Sequence, residues 1–178
     1  AHNPKMKEID KADTIFSISQ YQKDIFVQKG YPAEKIYVIP NMIDDERSFF
    51  PSTSFQTPPV LAVLGRFEPG KGFEDFVRAL SIVKSKKIPF HAVIGGTPVG
   101  DNQKTYESIV ALIKELDLSE DIQLCGWVSD KDEFYKNLDV FILSSHHESF
   151  GIVLLEAMIR SKPIISSLAE GPAEIYAD

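Results

Sequence analysis

The sequence predicts an open, doubly wound α/β sheet of parallel strands, Rossmann-like in layout. Three observations support this. Short apolar runs alternate with segments of helical period along the chain. Runs such as VLAVL at 60–64 are apolar at every position, as parallel strands covered by helices on both faces must be. No internal repeat or low-complexity tract breaks the alternation.

The elements follow in order. TIFSIS (14–19) is a predicted strand, and QYQKDIFVQKG a helix closed by Gly30, a residue suited to a left-handed cap. KIYVIPN (35–41) is a second strand ending in a Pro-Asn turn. Residues 42–59, with Pro51, Pro58 and Pro59, form an irregular connection. After the strand at 60–64, a helix starts near Gly72, with Phe73, Phe76, Val77, Leu80 and Val83 at helical spacing. FHAVIGG (90–96) is a strand, and Tyr106, Ile109, Val110, Ile113 and Leu116 mark the next helix. IQLCGWV (122–128) is a strand, and SDKDEFYKNL (129–138) a short helix that Ser129 can cap. DVFILSS (139–145), a helix from about Phe150 to Ser161 and PIISS (163–167) complete the series.

Composition narrows the function. The net charge of −7 weighs against a nucleic-acid partner, because phosphate backbones reward basic faces. No apolar run approaches the roughly 18 residues of a bilayer span. The single cysteine, Cys125, can form no internal disulfide, suits a reducing compartment and is expected in the core. In doubly wound sheets ligands sit outside the carboxyl ends of the strands. The loops of interest are therefore 65–72, 95–102, 126–130, 144–151 and 167–173.

GRFEPGKGF (65–73) places Arg66 and Lys71 at a helix start, where partial positive charge already collects. Two further cations there favour a bound anion such as phosphate. The alternative is a pair of solvated loop residues with Glu68 as counter-charge. The stretch also matches most of the P-loop pattern G-x-x-x-x-G-K-[ST], but Gly72 replaces the hydroxyl residue that would hold magnesium. GGTPVG (95–100) is not the glycine fingerprint of a dinucleotide site.

Glu148 lies in the loop before the helix at 150–161, where a carboxylate also complements the helix dipole. Glu156 interrupts an otherwise apolar helix, and a helix apolar all round is buried. A buried carboxylate needs donors. The two hydroxyls of a ribose would serve, and so would protein groups. His146, His147 and Glu148 lack a further ligand at zinc spacing, so no metal is expected.

These residues resemble the retaining glycosyltransferases of the group 1, or family 4, type. ESFGIVLLEAM is similar to their E-x7-E motif, VIPNMID to the hinge VIPNGID, and GRFEPGKGF to the GR-x-x-x-x-KG loop. GWVSDKDEFYKNLDVFILSS and SKPIISS…GPAEI continue the match in family order over nearly the whole chain. The resemblance implies one half of the two-domain GT-B fold, with residues 1–45 the end of an N-terminal domain and its hinge. Residues 46–178 would be a donor-binding Rossmann-like domain, cut short at its end.

In such an enzyme Arg66 and Lys71 would bind the donor diphosphate and neutralise the departing nucleotide. Glu148 would contact the donor sugar and Glu156 the ribose. The backbone N–H groups of Phe150, Gly151 and Ile152 would face sugar or phosphate, and the base would lie near Trp127 and Val128. The implied partners are a nucleotide-sugar donor, a UDP-hexose, and a glycan or lipid-linked acceptor, with no cofactor or metal. The implied location is the cytoplasm, with peripheral inner-membrane contact through the N-terminal domain. The sequence departs from the family pattern at Met42, where the hinge usually has Gly, and at Glu170, where many members have the first Gly of GG-x-x-E. A non-catalytic Rossmann-like nucleotide-binding module is the competing reading.

Overall fold

The computed structural model describes residues 11–43 and 54–176. The expected boundary at 45 and most of the expected connection, Pro51 included, lie outside those residues. The chain divides into two compact units: Ala1–Met42 with Glu148–Ile152 and Leu168–Asp178, and Ile43–His147 with Val153–Ser167.

The larger unit holds a five-stranded sheet in the order β5-β4-β3-β6-β7. Its strands are β3 (Val60–Leu64), β4 (His91–Gly95), β5 (Ile122–Gly126), β6 (Val140–Leu143) and β7 (Ile164–Ser166). Every pairing is parallel. The chain winds outward from β3 to β5, then returns to the other edge of β3 as β6. This is the doubly wound order, and the strand order reverses between β3 and β6. Helices α2 (Phe73–Ser85) and α3 (Gln103–Glu115) take the crossovers from β3 to β4 and from β4 to β5. Of the predicted stripes, Val83 on α2, Tyr106 and Val110 on α3 and Leu116 at its C-cap are half-buried; Phe73, Phe76, Val77 and Leu80 on α2 and Ile109 and Ile113 on α3 are buried. They pack with Val63, Ala92 and Ile94 into one apolar core.

Asp139 ties the start of β3 to the start of β6. It is 2% exposed, yet its carboxylate accepts bonds from the backbone N–H of Gln56 at 3.1 Å and Val60 at 2.7 Å. This Asp, placed in sequence at the head of the strand 139–145, is a structural clamp.

Four expectations need correction. Helix α4 covers Lys131–Lys136, and its N-cap is Asp130, not Ser129; the Asp130 side chain accepts from Glu133 N–H at 2.9 Å. The helix starts one residue later than expected, and a carboxylate at that place also answers the helix dipole. Helix α5 is shorter than 150–161, covering Ile152–Met158. Ser161 takes a left-handed φ of 53°, Ser161 N–H bonds Met158 O at 2.9 Å and Lys162 N–H bonds Ala157 O at 3.0 Å. That is a Schellman closure. Nor is α5 buried all round, since Leu154, Glu156 and Ala157 are buried while Ile152 is exposed. Cys125 is exposed rather than in the core. Its strand, β5, is the sheet edge, so Gln123 and Cys125 face outward.

In the smaller unit β1 (Ile15–Ser17) pairs in parallel with β2 (Ile36–Val38). Helix α1 (Gln20–Gln28) is capped by Ser19, whose hydroxyl accepts Gln22 N–H at 3.1 Å. Gly30 has φ +92°, as its expected cap role requires. Helix α6 (Glu170–Ile175) supplies the Glu174 carboxylate to the free N–H groups of Gln20 at 2.9 Å and Tyr21 at 2.6 Å. An anion at a helix start satisfies orphan donors and dipole together. Met42 is exposed and is not among the non-glycine residues of positive φ, so this position does not need the family's glycine.

Lys162 is 7% exposed and donates to Leu138 O at 3.0 Å. Burial pushes its ammonium below the ordinary value of 10.5, partly opposed by Asp139. Between the lowered value and 10.5 the unfolded chain therefore holds more protons than the folded one, and the cost of burying the charge is relieved as pH rises. Urea denaturation of wild type and Lys162→Met at pH 7 and pH 10 should show the stability difference moving in favour of wild type at the higher pH. A difference independent of pH would contradict the buried charge.

Candidate functional site

The loop from 65 to 72 leaves the carboxyl end of β3 and is pinned at several points. Gly65 N–H bonds Gly95 O at 3.1 Å, and Phe67 N–H bonds Thr97 O at 3.2 Å. Phe67, 1% exposed, stacks on Phe73 at 4.6 Å between centroids and meets Tyr106 edge-on at 5.0 Å. A buried aromatic in the middle of a loop anchors it; truncating one costs about 3–5 kcal/mol. Arg66 and Glu68 flank this anchor and therefore project away from the core.

Gly72 ends the loop with φ +69°, directly against strand β6's exit. A Cβ there would stand 1.8 Å from Ser144 O. Ser144 Oγ also donates to Lys71 O at 3.3 Å. The loops after β3 and β6 thus touch backbone to backbone at the order reversal, which explains Gly72: a hydroxyl residue has no room there.

The charges around this loop are largely balanced by the chain itself. Arg66 Nη1 lies 3.1 Å from Glu68 Oε1, so the counter-charge alternative describes Arg66 in this structure. Glu74 and Asp75 occupy the first turn of α2 and already answer its dipole. His146 engages Asp75 instead of its neighbours in HHE. Among the described residues no three His, Cys, Asp or Glu side chains gather at one point.

Glu156 is 3% exposed, as expected of an acid on an apolar helix. Its donors are protein groups: Lys131 Nζ on Oε1 and Tyr135 OH on Oε2 at 3.3 Å. Lys131 and Tyr135 stand four residues apart on α4, one turn on the same face. Sequence reasoning missed both. Their spacing marks one face of α4, but nothing local in the sequence shows that this face meets Glu156. Behind them Arg160, 1% exposed, holds Asp132 through Nε at 2.9 Å and Nη2, and donates from Nη1 to Glu156 O at 2.9 Å. Its guanidinium lies 5.0 Å from the centre of the Tyr135 ring.

An open hollow at the carboxyl end of β5 is lined by Trp127, Val128, Ser129, Asp130, Lys131 and Arg160, among others. Trp127 is 73% exposed and Val128 half-buried, so an apolar face and a cation border the same hollow.

The remaining expected site residues belong to the smaller unit. Glu148 is half-buried; its N–H points to Glu170 Oε2 at 3.4 Å and its carbonyl accepts Gly171 N–H at 2.8 Å. A Cβ on Gly171 would lie 2.4 Å from Phe150 N, so this glycine lets the backbone of 148–150 rest on α6. Phe150 and Gly151 are buried, and Ile152 is exposed. Glu170, a departure from the family pattern, also accepts from Tyr21 OH at 3.1 Å. Burial and that carboxylate both push the Tyr21 phenol up.

Residues 44–178, more than half of the chain, match the family described as "Glycosyl transferases group 1". The chain belongs to the group 1 glycosyl transferases. It is 27% identical over 176 residues to the mannosylfructose-phosphate synthase of Agrobacterium fabrum, covering 89% of this chain and 38% of that protein. It is 33% identical over 121 residues to the lipopolysaccharide core biosynthesis glycosyltransferase LpsD of Rhizobium meliloti, covering 66% of this chain and 33% of that protein. The chain thus spans about a third of the length of these relatives.

Among solved structures, the lipopolysaccharide outer core galactosyltransferase WaaB in its apo form superposes with a TM-score of 0.76 at 27% identity, over 99% of this chain and 49% of that one. Anabaena HepE, solved with UDP and glucose, superposes with a TM-score of 0.80 at 23% identity, over 94% of this chain and 47% of that one. The HepE likeness shows the fold, a Rossmann-like half of GT-B. No described helix of this group 1 chain is long and apolar enough to cross a membrane.

The packing at Gly72 separates this chain from the P-loop enzymes it mimics in sequence. Gly72→Ser completes the P-loop pattern, yet should destabilise the fold by about 3 kcal/mol or more, through left-handed strain and collision with Ser144. Chemical denaturation checks this. A variant of unchanged stability that binds magnesium-ATP would contradict it.

Proposed function

We propose that this chain is the donor-binding half of a retaining glycosyltransferase that moves a hexose from UDP to a glycan or lipid-linked acceptor. Residues 1–45 belong to the end of the acceptor domain and its hinge, and 46–178 to the donor domain. One observation carries the reading. Arg66, Lys71 and Glu156 belong to one compact unit, on elements that follow adjacent strands β3 and β6 where the order reverses. That is where doubly wound sheets bind nucleotides. The solved relatives add support, since one is a galactosyltransferase and another was solved with UDP and glucose.

In this reading Lys71 and Arg66 receive the diphosphate, with Arg66 released from Glu68. Their charge stabilises the oxygen that leaves the anomeric carbon as UDP, through donors fixed before the reaction begins. Cations there take the part a metal plays in many nucleotide-sugar enzymes. The bond from the anomeric carbon to the acceptor oxygen forms on the face the diphosphate leaves, and the acceptor's hydroxyl proton passes to the departing phosphate oxygen. Glu156 receives the ribose hydroxyls and Glu148 the donor sugar. The backbone N–H groups of Phe150, Gly151 and Ile152 face sugar or phosphate, and Trp127 with Val128 receive the base. Neither acid acts as a glycosidase nucleophile. The protein works in the cytoplasm and touches the inner membrane through its acceptor domain.

Thermal-shift measurements with UDP, UDP-sugars and magnesium-ATP test the reading. Metal-independent stabilisation by UDP supports it. Equal indifference to all nucleotides would reduce the chain to a non-binding relative. Lys71→Ala should weaken UDP on the order of tenfold, the worth of a charge-assisted hydrogen bond, and leave uridine nearly unchanged; calorimetry showing equal losses would remove the diphosphate role. Glu156→Gln should weaken UDP more than 2′,3′-dideoxy-UDP, and identical losses would remove the ribose assignment.

A further inference from the structure

Glu156 is shut by its own chain, and one of its two donors can leave. Tyr135 OH carries a single proton and faces two acceptors, Val153 O at 3.0 Å and Glu156 Oε2 at 3.3 Å. The nearer carbonyl competes for that proton. The charge of a carboxylate 3% exposed therefore rests chiefly on Lys131 Nζ.

The two cations that border the hollow differ in freedom. Arg160 is 1% exposed and spends three nitrogens on Asp132 and Glu156 O. Lys131 has a side chain 39% exposed and reaches Glu156 from the hollow side, where Trp127 and Val128 also stand. A lysine is a flexible point charge that can exchange partners at little cost, whereas a forked, stacked arginine cannot.

We infer that Lys131 is a built-in competitor for the Glu156 carboxylate of the nucleotide site, resting on the proposed ribose role of Glu156. In the unliganded protein it occupies the carboxylate that a vicinal diol would need. A nucleotide with both hydroxyls displaces it, donating two hydrogen bonds in exchange for one ion pair. A nucleotide without them leaves Lys131 in place. Diol binding is taxed by the ion pair it must break, as any ligand is taxed by a competing closed state. The tax falls only on ligands that engage the carboxylate, so Lys131 lowers the affinity for a diol and narrows its advantage over ligands that lack one.

Lys131→Met shortens the side chain by one atom, removes the charge and alters a partly exposed position. Calorimetry on the 178-residue chain should find UDP bound about tenfold tighter by the variant, with 2′,3′-dideoxy-UDP unchanged. Weaker binding of both ligands would mean that Lys131 holds the nucleotide directly, and would overturn the inference. An unchanged UDP affinity would also overturn it.

A second measurement reads the wild type directly, with the spectrum of Lys131→Met assigning the resonance. Reductive methylation with 13C-formaldehyde labels the lysines, and the Lys131 methyl resonance should shift with UDP but not with the dideoxy nucleotide. A resonance that ignores UDP while UDP binds would overturn the inference and leave the proposed function standing. No binding of UDP by wild type or variant would overturn both.

Discussion

Strand β3 is hydrogen-bonded along both edges, to β4 on one side and β6 on the other. The positioning of the site in the larger unit follows from that constraint. A central parallel strand cannot shift without breaking two ladders, so the loop at its carboxyl end starts from a fixed point. The loop is then fastened by Gly65 to Gly95, by Phe67 in the core and by Gly72 against Ser144. Arg66 and Lys71 ride on a backbone with little freedom of its own. That is the condition for electrostatic preorganisation, because donors that need not reorganise stabilise charge best.

The same unit buries several charged groups, and each has a named compensation. Asp139 accepts two backbone N–H groups, Arg160 grips Asp132 and a carbonyl, Lys162 caps Leu138 O, and Glu156 holds Lys131 and Tyr135. Buried charges of this kind add little net stability, but removing one partner is costly. They act as registry devices: Asp139 sets β6 against β3, while Glu156 and Arg160 set α4 against α5. A ligand that borrows one of these charges must offer a replacement, which is why the arrangement around Glu156 bears on selectivity.

Much of the fold was legible in the sequence because it depends on local pattern. VLAVL is β3 residue for residue, and the stripes on α2 and α3 are the buried faces. Errors came where a neighbour in space decides the outcome. Cys125 looks like core in an apolar run, but its strand lies at the sheet edge. Helix α5 looks longer than it is because the left-handed turn at Ser161 has no glycine to announce it. Of the candidate site, the isolated acid at 156 was legible as an anomaly, since nothing in an apolar helix excuses it. Its donors were not, because twenty-five residues separate Lys131 from Glu156 in the chain.

By itself the sequence determined the α/β class, the strand–helix succession and the positions of the loops that carry charge. Hydrophobic period and turn chemistry act over a few residues, so they survive being read in one dimension. Only the tertiary structure decided the strand order, the partner of each buried charge and the reason for Gly72. Those depend on which backbones approach within van der Waals contact, and packing brings together residues that the chain keeps apart.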